Sequence, residues 1–550
     1  MNLKMRNLFF VVIFCLVSVG LFSQNAVDLH DPMYKDLEVW IGTGYMEPMP
    51  YLRPWPNQIL TQALETMLTK PELPGDVRNR AQDYYQRLGG GEDPFRFIVD
   101  VIHRNEVGSS PENRTFLSPG MDVSWSINDK VHLGIYWKTS IIDHQDGDAL
   151  ATYQRESVDW VPDNSDFDIA GRNILIQNGV LSHLSFGTSE FAGLIGIGRT
   201  DYGPFYNDGI VLSADAPFGA IFGYTWHRPE FSVSMLYRPL TATNNLGEGK
   251  AADKHYAFHS LEYRPARWVT LSFFEAMVWG NRLDMIYFVP FSGFFVSQGM
   301  GGFDGNSLMG MSGEFKPIPG LSIPLTLFAD DVHFNDIVRG DLDTKYKLAL
   351  EGGISWFPQA QGIPVLERIQ ASYTAVMPYM YTHRDGGTQD NSSGDGTWLD
   401  SDSYNFANYT HLGQNLATGL LPNSDRFQLN LGIRPVSWIN VAINLQHIRH
   451  GNASEGTGID EDTATGDLFD AGYDGIFPTF QETTRFLIQD VLETTKQLSV
   501  DAQFELPRPQ WMPELSVGMG YTFEHITNTE LVPGKTEANH YLRFQLQSRL

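Results

Sequence analysis

Hydrophobic and polar residues alternate along much of the chain. Phe427, Leu429, Leu431 and Ile433 are separated by Gln428, Asn430 and Gly432, and Val441, Ile443, Leu445 and His447 by Ala442, Asn444 and Gln446. Leu515, Val517, Met519, Tyr521 and Phe523 alternate with Ser516, Gly518, Gly520 and Thr522. The same period runs through residues 131–137, 231–237, 348–356 and 498–506. A repeat of two gives a strand one apolar and one polar face, so each segment predicts a half-buried β-strand. The final segment, 540–550, gathers Leu542, Phe544, Leu546 and Leu550 on one face and Tyr541, Arg543, Gln545, Gln547 and Arg549 on the other. It predicts a strand that closes a sheet on itself, because an open edge cannot face lipid.

The connections are unequal. Some are short and carry proline and often tryptophan: Arg264-Pro265-Ala266-Arg267-Trp268, Lys316-Pro317-Ile318-Pro319-Gly320 and Arg434-Pro435-Val436-Ser437-Trp438. Proline fixes φ in a turn, and tryptophan beside a basic residue suits a membrane interface. Others, such as 383–425 and 451–474, are long and rich in Gly, Asp, Asn and Ser. Short turns on one side and long polar loops on the other predict an all-β chain forming a large antiparallel transmembrane β-barrel. A soluble sandwich does not explain aromatic residues at so many turns. Residues 115–550 are long enough for about 16–18 strands at roughly ten residues each.

Ahead of the strands the period changes. Asn57 is placed to cap a helix running to Lys70, with Ile59, Leu60, Ala63, Leu64, Met67 and Leu68 at helical spacing. A second helix is predicted over 76–88, stopped by Gly89-Gly90-Gly91, and a third short one over 93–103. Residues 24–114 therefore predict a small helical domain on the periplasmic side. Residues 1–23 have a basic start at Lys4 and Arg6, an apolar run over 8–22 and a cleavage site after Ser23, which predicts a signal peptide. Export and a barrel together predict the outer membrane.

Charge and chemistry narrow the function. The chain has 65 acidic against 38 basic residues and a net charge of −27, so it lacks the basic footprint of a nucleic-acid binder. Its only cysteine, Cys15, lies in the leader behind Phe14, where lipidation would require a small residue. No thiolate metal site or cysteine nucleophile is then left in the mature chain. The 15 histidines form no HExxH, there is no GxSxG, and His447 and His450 read as strand-end surface residues. The expectation is a protein that is not an enzyme and carries no cofactor or metal.

Three groups of segments resemble the Wzi family of capsule-assembly outer-membrane proteins. The first is Arg199-Thr200-Asp201-Tyr202-Gly203-Pro204 followed by residues 209–217. The second runs from Leu261-Glu262-Tyr263-Arg264-Pro265 through Phe273-Phe274-Glu275-Ala276, 283–290 and 305–310 to Ala329-Asp330-Asp331. The third is Tyr409-Thr410-His411-Leu412-Gly413-Gln414, then 421–425 and Arg449-His450-Gly451. Arg53-Pro54 ahead of a helix adds to the likeness, which covers most of the mature chain; Phe205, where the family more often has glycine, and the terminal leucine depart from it. The resemblance implies a wide barrel that binds and organises capsular polysaccharide or exopolysaccharide at the cell surface, with outer-membrane lipid around it. A general diffusion porin is the alternative, since a barrel of this size can hold a channel.

Glu275 interrupts the apolar row Val269, Leu271, Phe273, Met277 and Trp279. A carboxylate facing lipid is costly, so either a bulge turns it inward or it lies beyond the apolar band. The expectation is a lumen network of Arg199, Glu275, Asp284, Asn306, Asp330 and Asp331, in which mutual bracing of the wall is favoured over direct glycan contact. Trp398, Tyr404, Phe406 and Tyr409 in the long loop suit either sugar stacking or interfacial anchoring. The loop carboxylates lack a regular calcium-loop spacing and read as a solvated acidic surface.

Overall fold

A computed structural model describes residues 28–89, 95–108, 112–144, 165–169, 172–206, 208–241, 253–280, 283–289, 293–301, 305–330, 347–382, 407–412, 414–452, 486–506 and 514–549. Eighteen antiparallel strands close into one barrel. A short strand, Ser165–Ile169, extends the sheet beside Arg172–Gly187. The strands are joined as successive hairpins, and the barrel closes where Phe95–Val107 pairs with Thr536–Arg549, from Ile98↔Arg549 to Val107↔His540. Every alternating segment identified in the sequence is part of this wall. Among the described residues no helix is long and apolar enough to cross a membrane.

Phe95–Val107 corrects two expectations, a third helix over 93–103 and a helical domain reaching residue 114. Its β-branched run, Ile98, Val99, Val101 and Ile102, favours the extended state. Asp100 points to the interior while Val99 and Val101 point out, and the strand supplies the edge that the last strand needs. The barrel therefore starts near residue 95.

The outer surface of the wall is apolar. Trp125 is 58 % exposed, Leu271 52 % and Met519 53 %, and Phe273, Leu325, Phe427, Leu445 and Phe544 face the same way. Such a band is stable against lipid and would be a liability in water. Near the short turns it ends in aromatic side chains, with Trp268 against Phe315 at 5.6 Å and Trp226 against Phe231 at 4.8 Å.

The three proline turns have one construction. Each strand pair slips register just before a two-residue turn, at Tyr263/Ala266, Phe315/Ile318 and Ile433/Val436. The slip holds Arg264-Pro265, Lys316-Pro317 and Arg434-Pro435, so proline stands where no ladder donor is required. The tryptophans stay on the outer surface, Trp268 54 % and Trp438 38 % exposed. Arg264 and Arg434 do not accompany them; they turn inward, where Arg264 is buried and Arg434 mostly covered.

Those arginines meet the helical segment, which covers the short-turn end of the barrel. Helix α1 (Pro32–Thr43) is capped by Asp31, which accepts from the Met33 N–H at 2.8 Å, and it ends at Gly44 in the left-handed region. Helices α2 (Asn57–Leu68) and α3 (Gly75–Leu88) pack on it through Trp40, Trp55, Leu60, Leu64 and Leu88. Asn57 does not cap α2: its amide donates to the Leu88 carbonyl at 3.0 Å and so satisfies the end of α3. Arg434 contacts Asp36 at 2.9 Å and Glu367 at 2.5 Å, Arg368 pairs with Glu38, and Gln58 donates to the Ser185 carbonyl at 3.2 Å.

Candidate functional site: a plugged lumen with one polar wall

Two connections fold into the lumen instead of leaving it. The first, between strands Phe191–Gly198 and Gly219–His227, meets the chain ahead of α2. There Leu52 pairs with Tyr202 and Arg53 with Asp201. The Arg53 guanidinium lies 2.6 Å from the Asp201 carboxylate, each side chain being 2 % exposed. It also donates to the carbonyls of Gly203 (2.9 Å) and Phe205 (2.8 Å) and lies over the Tyr206 ring. Gly203 has φ +127°, a conformation side-chain-bearing residues rarely adopt, which lets the chain turn beneath Arg53. Nearby the Tyr51 N–H donates to Glu262 at 2.8 Å, and Glu262 pairs with Arg264.

The second connection, described over residues 377–382, 407–412 and 414–423, lies over the first. Tyr381 donates its hydroxyl to the Ile210 carbonyl and Tyr409 to the Val211 carbonyl, both at 2.7 Å. Burial pushes both phenols well above the usual tyrosine range, so both remain protonated donors. His411 accepts from the Thr241 N–H at its Nδ1 (2.9 Å) and faces the Phe218 carbonyl with Nε2 (3.2 Å). Burial, with Arg238 and Lys254 close by, lowers its pKa to about 3 and keeps the ring neutral.

Together these segments bury Ile210, Val211, Leu212, Leu416 and Leu420 against inward residues of half the wall, among them Phe258, Phe274, Leu308, Phe328 and Val376. That half of the lumen is a hydrophobic core. The other half is polar. Inward positions of strands Ser424–Val436, Ile439–Gly451, Leu492–Glu505, Glu514–Thr527 and Thr536–Arg549 are mostly Gln, Asn, Ser, Thr and paired charges. Arg543 and Asp501 form an ion pair at 2.6 Å yet remain 42 % and 43 % exposed, which marks a solvated interior face.

The expected lumen network is not formed as one cluster. Glu275 stays on the outside: the register of Val269–Gly280 with both neighbours runs through it without a bulge. A short helix, α4 (Phe294–Gly301), lies over the outer wall there, and the Phe294 N–H donates to Glu275 at 3.1 Å. The carboxylate is thus covered by backbone instead of being turned inward. Asp284 caps the helical turn Met285–Phe288 ahead of α4, accepting from the Ile286 N–H at 3.1 Å. Arg199, Asn306 and Asp330 do face the lumen, but separately. Arg199 donates to the Ala214 and Ala216 carbonyls, Asn306 donates to Ala407, and Asp330 lies 3.9 Å from Lys347. Asp331 lies outside the described residues, as do Trp398, Tyr404 and Phe406. Tyr409 is a correction: it is fully buried in the plug, where no sugar could stack on it. Among the described residues no group of three or more His, Cys, Asp or Glu side chains is placed to hold a metal.

No family model matches the sequence, and no curated protein matches it. Solved structures do match in fold. One is Wzi from Escherichia coli, an outer-membrane protein involved in group 1 capsule assembly and described as a carbohydrate-binding β-barrel. The likeness has a TM-score of 0.56 at 10 % identity and covers 96 % of this chain and 99 % of that one. The fold is that of an outer-membrane β-barrel. Weaker likenesses are OprD from Pseudomonas aeruginosa, with a TM-score of 0.41, 8 % identity, and 83 % and 93 % of the two chains covered, and OpdK from the same organism, with 0.43, 10 %, and 83 % and 98 %. The outward apolar band and the likeness in fold to the Wzi barrel place the chain in the outer membrane.

The main structural residues of the site, Arg53, Asp201 and Glu262, were not singled out as site residues from sequence. The available signal was a charge set among apolar, aromatic or small residues. Arg53 follows Tyr51-Leu52, and Asp201 precedes Tyr202-Gly203.

Proposed function

We propose that this protein is a non-enzymatic outer-membrane barrel that holds capsular polysaccharide or exopolysaccharide at the cell surface. The observation that carries this reading is the packed plug. A lumen half filled by the chain's own core suits attachment at the long-loop end better than free diffusion of solutes. The similarity of the whole chain to a barrel described as carbohydrate-binding supports the same reading. The test is the ratio of cell-bound to shed polysaccharide in a deletion strain and its complemented control. Polysaccharide made in normal amount but released into the medium is the expected result; unchanged retention overturns the reading.

The solvated polar wall favours a second reading, a narrow diffusion pathway. Under it, the purified protein in a planar bilayer conducts steadily at neutral pH. The attachment reading expects only rare openings.

A further inference from the structure

The polar wall has an order that solvation alone does not require. Strand register places Gln428 beside Gln446, Gln446 beside Gln497, Gln497 beside Glu524 and Glu524 beside Asn539. One step along the strands, Gln370, Asn430, Asn444, Ser499, Thr522 and Tyr541 form a second continuous row. All face inward, because the alternate positions Phe427, Leu445, Met519, Phe544 and Leu542 form the exposed outer band. Neighbouring strands are about 4.8 Å apart, so each row repeats a hydrogen-bonding group at about that interval.

Charge is largely cancelled across this surface. Arg543 neutralises Asp501, Lys138 lies 3.7 Å from Asp100, and Gln545 and Gln547 donate to the same Asp100. Glu524 is held by Tyr541, which donates at 3.1 Å, and by Asn539 at 3.3 Å. What remains for a ligand is mostly carboxamide and hydroxyl. A carboxamide offers a donor and an acceptor side by side, which is what a vicinal diol presents in return. A polyanion would meet Arg543 and Lys138 already facing carboxylates, and an apolar solute would cover these polar groups without bonding to them.

We propose that these two rows form a binding track inside the lumen for an uncharged stretch of polysaccharide, lying across the strands with one sugar ring for each strand crossed. This deepens the proposed function and rests on it for the nature of the ligand. The plug forms the opposite side of the chamber, so the chain would be held between the plug and an amide wall. Individual contacts to such a wall are weak, and affinity comes from their repetition.

The test uses the purified full-length protein in detergent and three neutral probes, maltoheptaose, a dextran hexasaccharide and mannohexaose, with an oligogalacturonate of equal length. At least one neutral probe is expected to bind, the uronate about tenfold or more weaker, a difference of about 1.4 kcal/mol. The N430A/N444A/Q446A variant is expected to lose about tenfold or more of that binding while melting as the parent does. If it misfolds, N444D/Q446E, which keeps shape and removes two NH₂ donors, takes its place. Equal binding of the uronate, no neutral probe bound, or a folded variant that binds normally each overturns the proposal. Retention in cells separates the two levels. A deletion strain that sheds polysaccharide beside a folded variant that binds and retains it normally refutes the track alone, whereas a deletion strain that sheds nothing refutes attachment itself.

Discussion

Replacing Arg53 by Ala tests whether the plug is held shut as described. Arg53 and Asp201 are each 2 % exposed and 2.6 Å apart, and Arg53 also serves the Gly203 and Phe205 carbonyls. Removing one member of a buried, hydrogen-bonded charge pair costs about 3–5 kcal/mol, because the other charge is left without compensation. The two carbonyls add less, since water can reach them once the arginine volume is vacated. Even the lower figure, about 3 kcal/mol, raises the ratio of displaced to seated plug by about a hundredfold. The assay is planar-bilayer recording of the purified protein, counting the time spent in large conducting states, with limited proteolysis across residues 199–218 as a second readout. Arg53→Ala is expected to open often and to be cut faster. R53A/D201A should recover part of the closed population, because it strands no carboxylate. Arg53→Ala with the parent's opening ratio and cleavage pattern would show that the pair does not hold the plug.

Three other substitutions probe other parts. Arg434→Ala removes a partner of Asp36 and Glu367, and is expected to loosen the helical segment by about 2 kcal/mol; proteolysis should release it faster from a barrel that still resists SDS at room temperature. His411 has a folded pKa of about 3 against about 6.5 unfolded, so its contribution is complete above about pH 6.5 and declines by about 1.4 kcal/mol per pH unit as pH falls towards 3. Openings should therefore increase on acidification through that window, and His411→Gln should flatten the dependence; a parent profile unchanged down to pH 4 contradicts this. Glu275→Ala removes the acceptor for the Phe294 N–H and should speed cleavage within residues 293–301, while Glu275→Gln, which keeps an oxygen there, should behave as the parent.

The barrel was legible because its signal is local. Gln428 and Asn430 between Phe427, Leu429 and Leu431 determine which face turns inward, whatever else the chain does. The short turns were legible for the same reason, since proline and tryptophan act within a few residues. Residues 93–103 read as helix because Phe97, Ile98, Val101 and Ile102 also fit a helical spacing, and only pairing with a strand at the far end of the chain makes the segment extended. The plug was illegible in principle. Nothing near Tyr409 indicates that its hydroxyl will meet Val211, or near Arg53 that its partner is Asp201. Glu275 was correctly marked as anomalous in an apolar row, but the sequence offered no sign that α4 would fold back over the outer wall to supply its N–H.

The seam between Phe95–Val107 and Thr536–Arg549 has a consequence for biogenesis. Asp100 meets Gln547 across 447 positions, so the first wall strand to leave the ribosome waits for the last before its edge is paired. Until then the protein is a growing sheet with two open edges and no sealed interior, and Arg53 has nothing to grip until Asp201 is in place. Such a chain is exposed to mispairing and aggregation throughout its synthesis and transit. Its maturation must therefore keep both edges from pairing elsewhere until they join, and the plug can pack only once the wall around it exists.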